Sequence, residues 1–160
     1  MEQWHDLFAA VAGSAAALTG LIFVGVSISL KTILSIPKLP NRALISMILL
    51  LSILILSILF LVPNQSVQTV GTEVLITGIL EWLFVSRIDM NILRKQERKY
   101  NFLYIYNIVM NQAAILPFII CGIAILCNGE VGIYWMVPGI IFSLVKAILD
   151  AWVLLVEIHR

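Results

Sequence analysis

The sequence predicts an all-α, polytopic membrane bundle of five transmembrane helices, with the N-terminus out and the C-terminus in. Three observations carry this reading: the composition, five apolar stretches of spanning length, and the alternation of basic residues between connections. Of 160 residues, 61% are hydrophobic and 12% charged, and the mean hydropathy is +1.05. A soluble domain is nearer half apolar and about a quarter charged, so this chain has too little polar surface to cover itself in water. The net charge of +1 provides no field that would gather nucleic acid.

A crossing takes about 20 mostly apolar residues. Five stretches meet that length, at about 7–30, 43–62, 70–93, 102–127 and 131–158, and form a single transmembrane domain over 1–160. The first contains "AAVAGSAAALTG", with small residues at four-residue spacing: Ala9, Gly13 and Ala17, and Ala12, Ala16 and Gly20. Such rows let helix backbones approach closely in lipid. Span one is therefore expected to pack centrally or against another subunit; a second reading makes it a pore lining, with hydroxyls from Ser14, Thr19, Ser27 and Ser29. Glu2 and Asp6 stand where a signal peptide carries basic residues, so a permanent helix is expected there.

Span two is nearly featureless, and its Ser46, Ser52 and Ser57 can bond back to their own helix. It is expected on the lipid-facing perimeter. Span three is the weakest, interrupted by Glu73, Glu81, Arg87 and Asp89; were it a surface helix, the spans would number four. Spans four and five contain Pro117 and Pro138, each of which removes a backbone donor and can bend its helix.

The connections fix the direction. Lys31, Lys38 and Arg42 flank the first, and Arg94, Lys95, Arg98 and Lys99 the third, with Arg160 at the end; the second has no basic residue and the fourth only Glu130. That alternation satisfies the positive-inside rule for five spans. Trp4, Tyr134 and Trp135 fall at the outer interface, and Tyr100, Tyr104, Tyr106 and Trp152 toward the inner one. Trp82 fits neither belt and is expected inside the bundle. No connection exceeds roughly a dozen residues, too few for a folded domain outside the membrane.

The candidate site is a polar constellation inside the spans. Counting ~1.5 Å per residue from the outer boundary places Glu81 at roughly 16 Å, Lys146 at roughly 20 Å, and Arg87 and Asp150 at roughly 25 Å. Depth and sign match Glu81 with Lys146 and Arg87 with Asp150. Lys146 and Asp150 also share a helix face at i, i+4, and Asn107 and Asn111 share a face of span four. One isolated charge at the bilayer centre costs about 2.5–3.5 kcal/mol or more, so the four are expected to be paired or wet. Two readings stay open: ion pairs that fix helix register, or an ion or proton path.

Other chemistry lacks its residues. His5 and His159 lie at opposite ends, Cys121 and Cys127 are too far apart on one helix to bridge, at about 9 Å of rise, and no catalytic, phosphate-binding or metal motif is present. No enzyme activity, cofactor or metal is expected.

Two stretches, "WHDLFAAVAGSAAALTGLIFVGVSISL" (Trp4–Leu30) and "GIYWMVPGIIFSLVKAILDAWVLLVEI" (Gly132–Ile158), resemble a family of small, uncharacterised bacterial and archaeal integral membrane proteins. The resemblance implies a multi-pass protein of the cytoplasmic (inner) membrane and brings no site residues. The expected function is a homo-oligomeric channel or transport pathway for ions or small solutes, in contact with membrane lipid. The alternative is an accessory, sensor or regulatory subunit that binds another membrane protein through span one.

Overall fold

An apolar stretch can satisfy its backbone N–H and C=O groups in apolar surroundings by forming a helix, whose bonds all lie within the segment. The computed structural model of the chain describes residues 2–36, 39–94 and 101–158, and among these there is no strand. The helices are α1 (His5–Ile28), α2 (Leu30–Ser35), α3 (Leu39–Leu61), α4 (Val67–Arg94), α5 (Asn101–Asn128) and α6 (Met136–Ile158). Lys38, Lys95, Arg98, Lys99, Tyr100, His159 and Arg160 lie outside the described residues.

Four stretches among the described residues are long and apolar enough to cross a membrane: His5–Ile28, Leu39–Leu61, Val67–Arg94 and Tyr104–Leu154. The last runs for 51 residues, over twice the ~20 that one crossing needs. It folds back on itself. A 3-10 segment, Gly129–Trp135, reverses the chain between α5 and α6, opening at Gly129 with φ +66°, a left-handed conformation that glycine adopts without penalty. Gly132 then lies so close to α5 that a Cβ on it would sit 2.3 Å from the Ile125 nitrogen. Further along the hairpin, the Ser143 hydroxyl donates to the Ala114 carbonyl at 3.3 Å. The α-helical part of the fifth predicted span thus starts at Met136 rather than 131. Pro138 falls in its first turn, where N–H groups have no intrahelical partner to lose.

The charged third stretch is a full helix inside the bundle. Its N-terminus is capped by Ser66, whose Oγ accepts from the Thr69 N–H at 3.1 Å. Val70, Val74, Gly78, Glu81, Val85 and Asp89 are all buried, a stripe at three- and four-residue spacing. This stripe packs on α5, where Gly122 is the notch: an added Cβ would lie 2.7 Å from the Leu75 backbone. Pro117 is buried within α5, which continues as helix through it.

The placement expected for span two is reversed, and span one does not take the first of the two placements expected for it. Span two does not lie on the perimeter: α3 is the central helix, touching α1, α4 and α6, with Leu49, Leu50, Ile53 and Leu56 fully buried and Ser46, Ser52 and Ser57 buried beside them. Span one does not pack centrally. It meets the bundle chiefly through α3, burying Phe8, Val11 and Ala15, while Ala9, Gly13, Ala16, Ala17 and Gly20 are exposed. Hydropathy misorders these helices because no hydrophobic force in lipid pushes the most apolar helix outward. Small serines let α3 take neighbours on several sides. The α1 hydroxyls of Ser14, Thr19 and Ser27 bond to carbonyls four residues back, at 2.8, 2.7 and 2.8 Å.

Trp82 is also placed differently from expectation. It is 38% exposed, and its Nε1–H donates to Gln112 Oε1 at 2.8 Å. At the end of the bundle near Gly129, Trp4 meets Tyr134 edge-on at 4.9 Å and Phe8 stacks on Phe60 at 4.2 Å. Large apolar side chains cover the exterior of every long helix, among them Leu21, Ile58, Leu80, Ile105 and Ile148.

Candidate functional site

The helices α3, α4, α5 and α6 surround a cavity of about 330 Å³ near the bundle end that carries Arg42 and Arg94. Apolar walls come from Ile36, Leu39, Ile45, Ile92, Ile108 and Val153, and the polar lining from Arg42, Asp89, Tyr104, Asn107, Asn111, Lys146 and Asp150.

Asp150 is the hub. Arg42 Nε donates to its Oδ1 at 2.8 Å, and Lys146 Nζ, one turn earlier on α6, donates to its Oδ2. The Ser46 hydroxyl lies 3.0 Å from the Arg42 carbonyl and 3.3 Å from Asp150 Oδ2, sharing one proton between two acceptors. Arg42 uses a second nitrogen, Nη2, to donate to Asn107 Oδ1 at 3.1 Å. One carboxylate thus serves two cations, leaving this wall with an excess of one positive charge. Lys146 and Asp150 are almost fully buried, whereas Arg42 keeps about a third of its side chain exposed.

The opposite wall is acidic. Asp89 on α4 receives the Asn111 amide on both oxygens, at 3.0 and 3.2 Å, and no cation lies within ion-pair distance of it among the described residues. The same amide leaves its own Oδ1 buried without a partner. The cavity therefore offers positive charge, negative charge and amide groups across one small space. Such a lining can hold a small polar or charged solute, whose groups would replace the water that these side chains otherwise need. Among the described residues no three His, Cys, Asp or Glu side chains converge as metal ligands.

The expected pairs are corrected. Glu81 does not meet Lys146, and Arg87 does not meet Asp150; Lys146 pairs with Asp150 itself, and Arg42 takes the place assigned to Arg87. Arg87 points out of the bundle and is exposed. Depth fixes one coordinate along a helix, but azimuth decides contact. Arg87 lies about 200° around α4 from buried Val85 at 100° per residue, so it faces away. Of the six polar residues read from the sequence, Asn107, Asn111, Lys146 and Asp150 come together, Glu81 is buried elsewhere, and Arg87 is outside.

Arg42 and Asp89 were missed as site residues, Arg42 read as a charge flanking a connection and Asp89 as an interruption of span three. The sequence held a signal for both. Asp89 continues the four-residue spacing of Glu81 and Val85, and Arg42 stands four residues before Ser46 on one helix face.

Glu81 occupies a second polar position, farther from the cavity mouth. It is buried, and neither carboxylate oxygen has a hydrogen-bond partner. The hydroxyl of Ser52 on α3 is close enough to interact, without hydrogen-bonding geometry. Between Glu81 and the cavity lies an apolar layer of Ile45, Leu49, Val85, Ala114 and Ile115.

No protein-family model matches this chain, and neither a curated protein nor a solved structure does.

Proposed function

We propose that the protein is a five-span integral membrane protein, N-terminus out and C-terminus in, that forms a channel or transport pathway for ions or small polar solutes. In this reading α1, α3, α4, α5 and α6 are the spans and the cavity opens toward the cytoplasm of a bacterium or archaeon. The observation that carries it is the cavity itself: two cations and two carboxylates around about 330 Å³, inside helices whose exteriors are apolar. An unpaired charge at the bilayer centre costs about 2.5–3.5 kcal/mol by insertion scales, and Lys146, Asp150 and Asp89 are all buried. A purely structural role needs neither an open cavity nor an acid, Asp89, whose hydrogen bonds among the described residues come from one amide. The apolar layer beyond Lys146 and Asn111 closes the path in this conformation, which suits a gated pathway. The reading includes no catalytic step.

The exposed row Ala9, Gly13, Ala16, Ala17 and Gly20 supports assembly into a homo-oligomer, since small-residue rows favour close helix association in lipid. The same row supports a second reading, a non-transporting accessory, sensor or regulatory subunit that binds another membrane protein through α1.

Reconstitution separates the two. Sealed proteoliposomes should pass small ions or polar solutes, and Asp150→Asn or Asp89→Asn should reduce the flux at least tenfold. Wild-type vesicles with correctly oriented, folded protein and no flux above protein-free controls would sink the transport reading.

A further inference from the structure

We infer that Glu81 is a proton-binding site within the membrane, separate from the cavity and gated from it by the Val85 layer. The inference rests on the proposed membrane spans and deepens the transport reading, making the pathway proton-linked.

Among the described residues, the inward-turned titratable groups nearest along the packed elements are Arg42 on α3, Asp89 on α4 itself, Cys121 on α5, and Lys146 and Asp150 on α6, while Arg87, Arg94, Tyr106 and Cys127 are exposed and Glu73 and Tyr104 lie toward the helix ends. None of these is bonded to Glu81, and the cations are already engaged by Asp150. A carboxylate buried without donors or a counter-charge is among the costliest groups a fold can carry. The ion that satisfies it with least space is a proton. The acid form then needs one acceptor and the carboxylate form one donor; a serine hydroxyl can serve as either. Ser52 is the nearby hydroxyl, and it would have to turn to bond either form.

Position makes the site more than a buried acid. Glu81, Val85 and Asp89 lie on one buried face of α4, so Glu81 stands about 12 Å beyond Asp89 along the helix. On α6, Ser143 is buried one turn beyond Lys146, also on the Glu81 side of the cavity. The apolar layer around Val85 lies between the carboxyl and the cavity floor. When that layer parts, water reaching Glu81 delivers one proton to a carboxylate oxygen or removes it. One O–H bond forms or breaks, and no other reactant is needed.

The test uses the full chain in lipid vesicles and dicyclohexylcarbodiimide, an apolar reagent that adds to protonated carboxyls from the membrane phase. After treatment, peptide mass spectrometry should locate the adduct on Glu81. Labelling should fall toward zero as the pH is raised, and be lost in Glu81→Gln. Asp89 and Asp150, held by Asn111 and by two cations, should stay unmodified. Infrared spectroscopy of the unmodified protein should show a carboxylic C=O band that disappears over the same pH range and persists in Asp89→Asn. Glu81 that is never labelled, or labelling and band intensity that ignore pH, would overturn the proposal. Both readouts are independent of flux: labelling that titrates in vesicles without flux keeps the proton site and removes the transport reading. Flux with an inert Glu81 does the reverse.

Discussion

At Asp150, two cations lean on one carboxylate, and the balance is unequal. Removing the acid leaves Arg42 and Lys146 facing each other in a largely buried space, and breaking such a set by one partner typically costs about 3–5 kcal/mol. Asp150→Asn should therefore lower unfolding stability in detergent by about that amount. Adding Lys146→Met should recover part of the loss, because the excess charge goes with it. A double mutant no more stable than Asp150→Asn alone would show that Lys146 contributes no repulsion. The same residues show how far single positions were legible. Lys146, Asp150, Asn107 and Asn111 stood out as polar groups in apolar helices, two on one face of each helix. Arg42 stood beside a basic connection and looked like a topology signal, and Asp89 looked like an interruption of its span. Their side chains turn inward through azimuth, which a count along the chain does not supply.

Helices α4 and α5 are held at close range by glycine. Gly122→Ala places a methyl group 2.7 Å from the Leu75 backbone, where no side-chain rotation can relieve the clash. Overpacking of this kind costs about 1–3 kcal/mol, so the variant should melt at lower temperature than the parent by circular dichroism. Gly13→Ala is the contrast. A Cβ there meets nothing within 4 Å, and replacing a helical glycine should add up to about 1 kcal/mol of helix stability. If α1 joins subunits, Gly13→Leu should break the oligomer in detergent while leaving the protomer folded. At this scale the sequence was a good guide to where helices lie, since apolar length and the lack of backbone partners outside a helix leave little choice. It was a poor guide to which helix is central. The contrast between α3 and α1 is decided by lateral packing, and hydropathy holds no information about that.

The molecule's orientation is testable with its own cysteines. Cys127 is exposed, one residue before the end of α5, and Cys121 is buried. With the N-terminus out, a membrane-impermeant maleimide applied to intact cells should label Cys127 and lose the signal in Cys127→Ser. A Cys127→Ser variant carrying Ser35→Cys should label only after the membrane is opened. Labelling of Ser35→Cys from outside would invert the proposed topology. Across the apolar layer, Val85→Thr keeps the shape and adds a hydroxyl. It should speed hydrogen–deuterium exchange of the Glu81 carboxyl, read from the isotope shift of its infrared band, without moving the polar pairs below it.

The glycine contacts have a mechanical consequence. With backbones interlocked at Gly122, α4 and α5 cannot slide past each other without separating, so they travel as one slab. The α1–α3 pair forms a second slab, touching α4 far less than α1 touches α3. Only α6 makes broad contact with both, and it carries Lys146 and Asp150 on the surface it shares with them. These contacts resist sliding within each slab and set α6 as the shared contact between the two. Val85 lies on one slab and Leu49 on the other, so a tilt of one slab against the other would part the layer that isolates Glu81. The Arg42–Asp150 bond is then the latch, tying the α1–α3 slab to α6.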